Sequence, residues 1–288
     1  MTTVIDESSR GSYSAQRRGE SVERPSRARR NFDLIVEFAL TAFKLKYAGS
    51  VLGYVWTLVK PLLVFGTMYV VFALFLLRGR TSAAENFPVQ LLVGVVIWSF
   101  FAEATMTALT SIASNSDLIL KAFFTRWVLV VASTLSAAMT LLVNICLVLA
   151  IGLPLHWFHI GWATLFLPLL LIELYAFALG IGLMLAALFV YYRDLGHIWE
   201  IVLQVLFYAS AIVFPFSLIP GGLKVLVALN PIAQIVEDLR RCLVSDAVPW
   251  STDILGGLVV VPLACAGVAL VAGGYAFRRL SRNFGVAL

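Results

Sequence analysis

The stretch "KLKYAGSVLGYVWTLVKP", Lys44 to Pro61, decides the fold. Two lysines, a tyrosine and two glycines stand directly ahead of a long apolar run. The chain therefore passes from a polar to an apolar environment within a few residues. Upstream, "NFDLIVEFALTAFKLKYAGS" puts Phe32, Val36, Ala39, Leu40, Phe43 and Tyr47 on one helical face, with Asp33, Glu37, Thr41 and Lys44 opposite. A helix of this kind over Asn31–Ser50 is expected to lie in the membrane plane, its lysines near headgroup phosphates. Lys46 falls near the apolar side, where its long stem can snorkel. Gly49 and Gly53 let the backbone turn upright, and Trp56 anchors the start of the first crossing.

The rest of the chain has the same character. Of 288 residues, 61% are hydrophobic and 13% charged, against about 25% charged in a soluble domain. Mean hydropathy is +0.94. This excludes a soluble globular protein and implies an all-α polytopic membrane protein, because a helix satisfies its own backbone hydrogen bonds in lipid. Residues 1–30 are polar, rich in Ser and Arg and without an apolar core, and are expected to form a disordered basic cytoplasmic tail. Cys146, Cys242 and Cys265 are too far apart and odd in number for a disulfide framework. Cys146 and Cys265 fall in apolar runs, where small buried hydrophobes are expected. His156, His159 and His197 lack ligand spacing, so no metal site is expected.

Six runs approach the roughly 20 apolar residues that a crossing helix needs. They lie near Trp56–Leu77, Phe87–Ile112, Trp127–Leu153, Ala163–Tyr191, Ile198–Ile219 and Ile254–Phe277. With both termini in the cytoplasm, 16 of the 21 Lys and Arg residues fall inside, leaving Arg78, Arg80, Lys224, Arg240 and Arg241 outside. "GGLKVLVALNP", Gly221–Pro231, is too short to span. The following "IAQIVEDLRRCLV" sets Ile232, Ile235, Val236, Leu239 and Leu243 on one face, with Glu237, Asp238, Arg240 and Arg241 mostly elsewhere. The pair reads as two short re-entrant helices, dipping toward the bilayer from outside between spans five and six. On the cytoplasmic side, "SNSDLILKAFFTRW" (Ser114–Trp127) offers a second grip for a partner, with Asp117, Lys121, Phe123, Phe124 and Arg126 as its contacts.

Three stretches, "LKYAGSVLGYVWTLVKPLL", "YYRDLGHIWEIVLQVLFYASAIVFP" and "LNPIAQIVEDLRRCLV", resemble the permease subunits of ABC-2-type polysaccharide exporters, which include O-antigen, teichoic-acid and cell-wall galactan permeases. The likeness covers most of the chain after the tail, residues 31–288. It implies a homodimeric channel in the cytoplasmic membrane of a bacterium, worked by two cytoplasmic ATPase subunits. It also implies an interfacial helix over Asn31–Ser50, a coupling helix over Ser114–Arg126 and external gate helices over Gly221–Val244. This chain carries no G-x-x-x-x-G-K-[ST] to cradle ATP phosphates. ATP and Mg²⁺ are therefore expected in the partner, with no cofactor and no bond chemistry in this chain, and no nucleic-acid partner.

The implied cargo is a glycan on a polyprenyl pyrophosphate. Lys44, Lys46, Lys60 and Arg193 are candidate cations for that headgroup. A sliding glycan favours aromatic platforms over tight polar grips; Tyr69, Phe72, Trp98, Phe100, Phe101, Phe207, Tyr208 and Phe214 are candidates for the path. Glu103 and Glu173 sit inside crossing segments, where ionisable groups face the bundle interior. No facing cation is evident for Glu103 from the sequence. Ala178, Gly182 and Ala186 recur every four residues, a spacing that lets helices approach closely within a protomer. Two other classes compete. An ion-coupled secondary transporter would show internal repeats and midplane charges. A membrane glycosyltransferase would need an acidic cluster at one membrane face, for which Arg193, Asp194, His197 and Glu200 supply the nearest match.

Overall fold

The computed structural model describes residues 27–46, 48–50, 53–75, 86–117, 125–216 and 219–284. The expected tail as far as residue 26, together with Tyr47, Arg78, Arg80, Lys121, Phe123 and Phe124, lies outside the described residues. The elements described are all helical. We label the α-helices α1 (Arg27–Lys46), α2 (Trp56–Phe75), α3 (Phe87–Ser111), α4 (Trp127–Gly152), α5 (Leu167–Phe189), α6 (Leu195–Ala209), α7 (Gly221–Ala228), α8 (Pro231–Leu243), α9 (Ser251–Leu255) and α10 (Val260–Leu280).

Among the described residues, four stretches are long and apolar enough to cross a membrane: Phe87–Ser111, Trp127–Gly152, Trp162–Phe189 and Ser251–Asn283. Helix α3 is the most enclosed of them and touches α2, α4, α5, α6 and α8, so it forms the hub of the bundle. Helix α6 departs from the expected fifth span. It ends at Ala209 after 15 residues, a rise of about 22 Å, and a buried non-helical segment continues from Ser210 to Phe216.

The small residues of α5 act within the protomer, as their spacing predicts. A Cβ on Gly182 would stand 2.7 Å from the Cβ of Ala108 on α3, and Ala178 and Ala186 are fully buried. A closer approach joins α5 to α10, where Gly273 lies against the Gly180 backbone and Gly180 against the backbone of Ala269 and Leu270. Residue spacing on one helix does not reveal this crossing, which needs glycine on both. Cys146 and Cys265 are exposed, contrary to expectation, and Cys242 is buried. Apolar neighbours in sequence only show that a position can face lipid or core; the helix's rotation chooses between them.

Helix α1 corrects two expectations. Its first turn, Arg27–Arg30, is helical rather than part of a disordered tail. It also does not lie across the bundle but runs side by side with α4, in the same direction. At its start the Thr125 hydroxyl donates to Asn31 Oδ1 (3.3 Å), and at its end Lys46 Nζ donates to Thr140 Oγ1 (3.4 Å), the same 94-residue offset. Ala39, nearly inaccessible, permits the close contact, while Phe32 and Leu40 of the expected apolar face point outward. Periodicity reports that a helix is amphipathic; it does not report the direction of its axis.

Candidate functional site

Polar side chains interrupt the apolar bundle at two places along α3, one just past its middle and one at its start. In the first, Lys46 pairs with the carboxylate of Glu103, and Thr140 Oγ1 stands 3.4 Å from both. The pair supplies the cation that the sequence left unidentified for Glu103. It joins the end of α1 to α3 and α4. Lys46→Ala is expected to cost about 1–3 kcal/mol, since it strands a half-buried carboxylate. The charge exchange Lys46→Glu with Glu103→Lys should restore most of that loss, read as thermal stability in detergent. Equal losses in the single and exchanged variants would mean that the pair contributes nothing.

The other candidate cations lie apart from Glu103. Lys44 and Lys60 are exposed, and the exposed Arg193 lies over the Phe189 ring at 5.3 Å. Of the proposed coupling residues, Asp117 is exposed and Arg126 is occupied: it donates to the Ser281 carbonyl and lies 5.7 Å from the Phe284 ring. Tyr191 donates to the Leu280 carbonyl nearby (2.9 Å). The starts of α1 and α4, the end of α5 and the end of α10 are thus tied at one end of the bundle.

The candidate path aromatics divide by burial. Trp98, Phe100 and Phe101 are core residues; Trp98 packs on Phe101 and Phe207, and Phe101 stacks on Phe177. Phe72 meets Phe214 edge-on at 5.1 Å. Tyr69 and Tyr208 are exposed. Glu173 is half-buried, and its Oε1 has no hydrogen-bond partner among the described residues.

The second site lies at the start of α3. Its centre is Arg240 of α8, whose side chain is 1% exposed. Nε donates to the Gln90 carbonyl (3.1 Å), Nη2 to the Ile212 carbonyl (2.7 Å), and Nη1 to the Ala211 carbonyl and the Glu237 carboxylate (both 3.1 Å). The Phe214 carbonyl stands 3.5 Å from Nη1. Beside it, Asp238 accepts from the Ser251 N–H, the Ser251 hydroxyl and the Gln234 amide, each at 2.7 Å. Burial pushes the Asp238 carboxyl upward despite those donors, and raises Glu237 despite the facing guanidinium. Asn230 caps α8 by accepting from the Ile232 N–H (3.0 Å), and its amide reaches the Ser210 hydroxyl (2.9 Å). Pro231 begins the helix, where its missing N–H costs nothing.

Glu237, Asp238, Arg240 and Arg241 were expected mostly off the apolar face of a short re-entrant helix. Instead α8 is buried nearly all round, because α3 and α5 cover it. One signal was available: four charged residues in a row of five, inside an otherwise apolar segment, with Glu237 and Arg240 at i,i+3.

The sequence profile described as "ABC-2 type transporter" matches residues 38–244, from within α1 to just past α8. The chain belongs to the ABC-2 type transporter family. Similar to this ABC-2 chain are two proteins named O-antigen export system permease protein RfbA. That of Myxococcus xanthus is 28% identical over 77% of this chain and 84% of its own. That of Klebsiella pneumoniae is 26% identical over 73% and 80%. The capsule polysaccharide export inner-membrane protein CtrC of Neisseria meningitidis is 24% identical over 80% and 87%. The family match encloses both polar sites of the ABC-2 chain, Lys46–Glu103 and Arg240, apart from Ser251.

Proposed function

We propose that this chain is the channel-forming permease subunit of an ATP-driven exporter. The cargo is a polysaccharide carried on a polyprenyl pyrophosphate across the bacterial cytoplasmic membrane. The family match over residues 38–244, together with relatives named for O-antigen and capsule export, carries this reading. The chain crosses six times: four long helices, α2, and α6 completed by the irregular segment after Ala209. Both termini lie in the cytoplasm, following the Lys and Arg distribution. Helices α7 and α8 then form the external pair.

Two copies of the chain work with two cytoplasmic ATPase subunits, which hold ATP and Mg²⁺. The coupling segment around Asp117, Lys121, Phe123, Phe124 and Arg126 receives their movement. Lys44, Lys60 and Arg193 are available to the pyrophosphate; Lys46 is committed to Glu103 and acts on helix position. Tyr69 and Tyr208 are the aromatics best placed to meet glycan, because their rings are exposed. Phe72, Phe207 and Phe214 stand behind them, and Trp98, Phe100 and Phe101 support the wall.

The test is reconstitution. Vesicles holding the permease with its co-purifying ATPase should export lipid-linked glycan only with ATP. Full-rate transport by the permease alone, driven by an ion gradient, would replace this reading with an ion-coupled secondary transporter.

A further inference from the structure

Helix α6 breaks more than a turn ahead of Pro215, which by itself would disturb the helix only from the Ala211 carbonyl onward. Ala209 is its last residue, and Ala211 takes a left-handed backbone with φ 52°, a conformation that costs a non-glycine residue free energy and needs support. The broken segment is not on the surface. Ser210, Ala211, Ile212, Val213 and Phe216 are all buried. Irregular backbone at membrane depth survives only when its polar groups are satisfied by protein or water. In a continuing helix the Ile212 carbonyl would accept from the Phe216 N–H, but the Ala211 carbonyl would face Pro215, which has none to give. Here the Arg240 guanidinium takes both, and stands near a third at Phe214.

We propose that Arg240 is a positioning residue that latches the outer end of the permease shut. It stands in for the missing helical turn of α6 and ties the broken segment to α3 through Gln90. Glu237, 3.1 Å away, orients the guanidinium from the same helix. The latch leaves no spare room: a Cβ on Gly94 would fall 2.9 Å from the Ile212 carbonyl and 3.0 Å from Arg240 Nη2. Phe214, on the held segment, meets Phe72 of α2. One side chain therefore fixes α2, α3, α6 and α8 relative to one another. Because a guanidinium stays charged in proteins, the latch opens by displacement rather than by titration, as a mechanical stroke from an ATPase would require. Lysine cannot replace it, since one ammonium cannot reach carbonyls on both flanks of a planar fork.

This inference rests on the permease reading, and its test separates the two. The permease–ATPase complex is reconstituted with an entrapped neutral probe, fluorescently labelled maltotriose, and efflux is followed without ATP. Wild-type vesicles should hold the probe. Arg240→Lys and Gly94→Ala should each raise ATP-independent efflux at least about tenfold, with the complex still assembled by co-purification. Leakage from an assembled complex is not what loss of folding produces. If Arg240→Lys does not assemble, Gly94→Ala decides, since alanine favours the helix that carries it. Assembled variants as tight as wild type would overturn the latch. Failure of wild-type vesicles to export with ATP would instead overturn the permease reading, leaving the leak comparison valid.

Discussion

Arg240→Met should lower stability by about 3–5 kcal/mol, the cost of breaking a buried ion pair from one side, and so the melting temperature by roughly 10 °C. Methionine fills similar space but donates nothing. Glu237 would then be buried opposite no cation, and the carbonyls of Ala211 and Ile212 would lose their donor. Glu237→Gln keeps an oxygen facing Nη1 and leaves the carbonyl bonds intact. It should cost far less, about 1–2 kcal/mol. The order of these two variants is the critical measurement, by heating in detergent and following the monodisperse fraction. Equal losses would show that the ion pair, rather than the carbonyl cradle, holds the segment. No loss with Arg240→Met would mean that the broken end of α6 is held by its apolar side chains alone.

The second large effect is at the crossing of α5 and α10. Gly273→Ala places a methyl group against the Gly180 carbonyl and backbone, a contact that side chains elsewhere cannot relieve by rotating. Overpacking of this kind costs about 1–3 kcal/mol or more, and these two helices pack extensively against each other. Gly274→Ala is the matched control one residue away. A Cβ there meets nothing within 4 Å, and alanine improves helix propensity by about 1 kcal/mol. The two substitutions, identical in chemistry, should move thermal stability in opposite directions. Parallel effects would remove the close crossing.

Several features are legible in the sequence. Apolar runs separated by charged loops require helices in lipid, because no other open structure satisfies the backbone there. The small-residue period of Ala178, Gly182 and Ala186 marked a contact face. The stretch from Lys44 to Pro61, with its neighbours in order, carried the resemblance that the family match later established. The polar sites were harder to see. Lys46 and Glu103 are 57 positions apart, and nothing in either neighbourhood names the other as partner. The aromatic candidates could be placed on helices but not rotated on them, so Trp98, Phe100 and Phe101 proved to be core while Tyr69 and Tyr208 reach the surface.

Sequence alone therefore settled the all-helical membrane class of this protein and its family, since each follows from local composition and order in one chain. Tertiary structure alone decided where the charges go. Arg240 looked like one more polar residue on an external helix until α3 and the broken end of α6 closed around it. Its place depends on carbonyls released by a helix that stops early, 28 and 29 residues away. Backbone acceptors leave no signature in side-chain identity, and only folding brings them to the guanidinium.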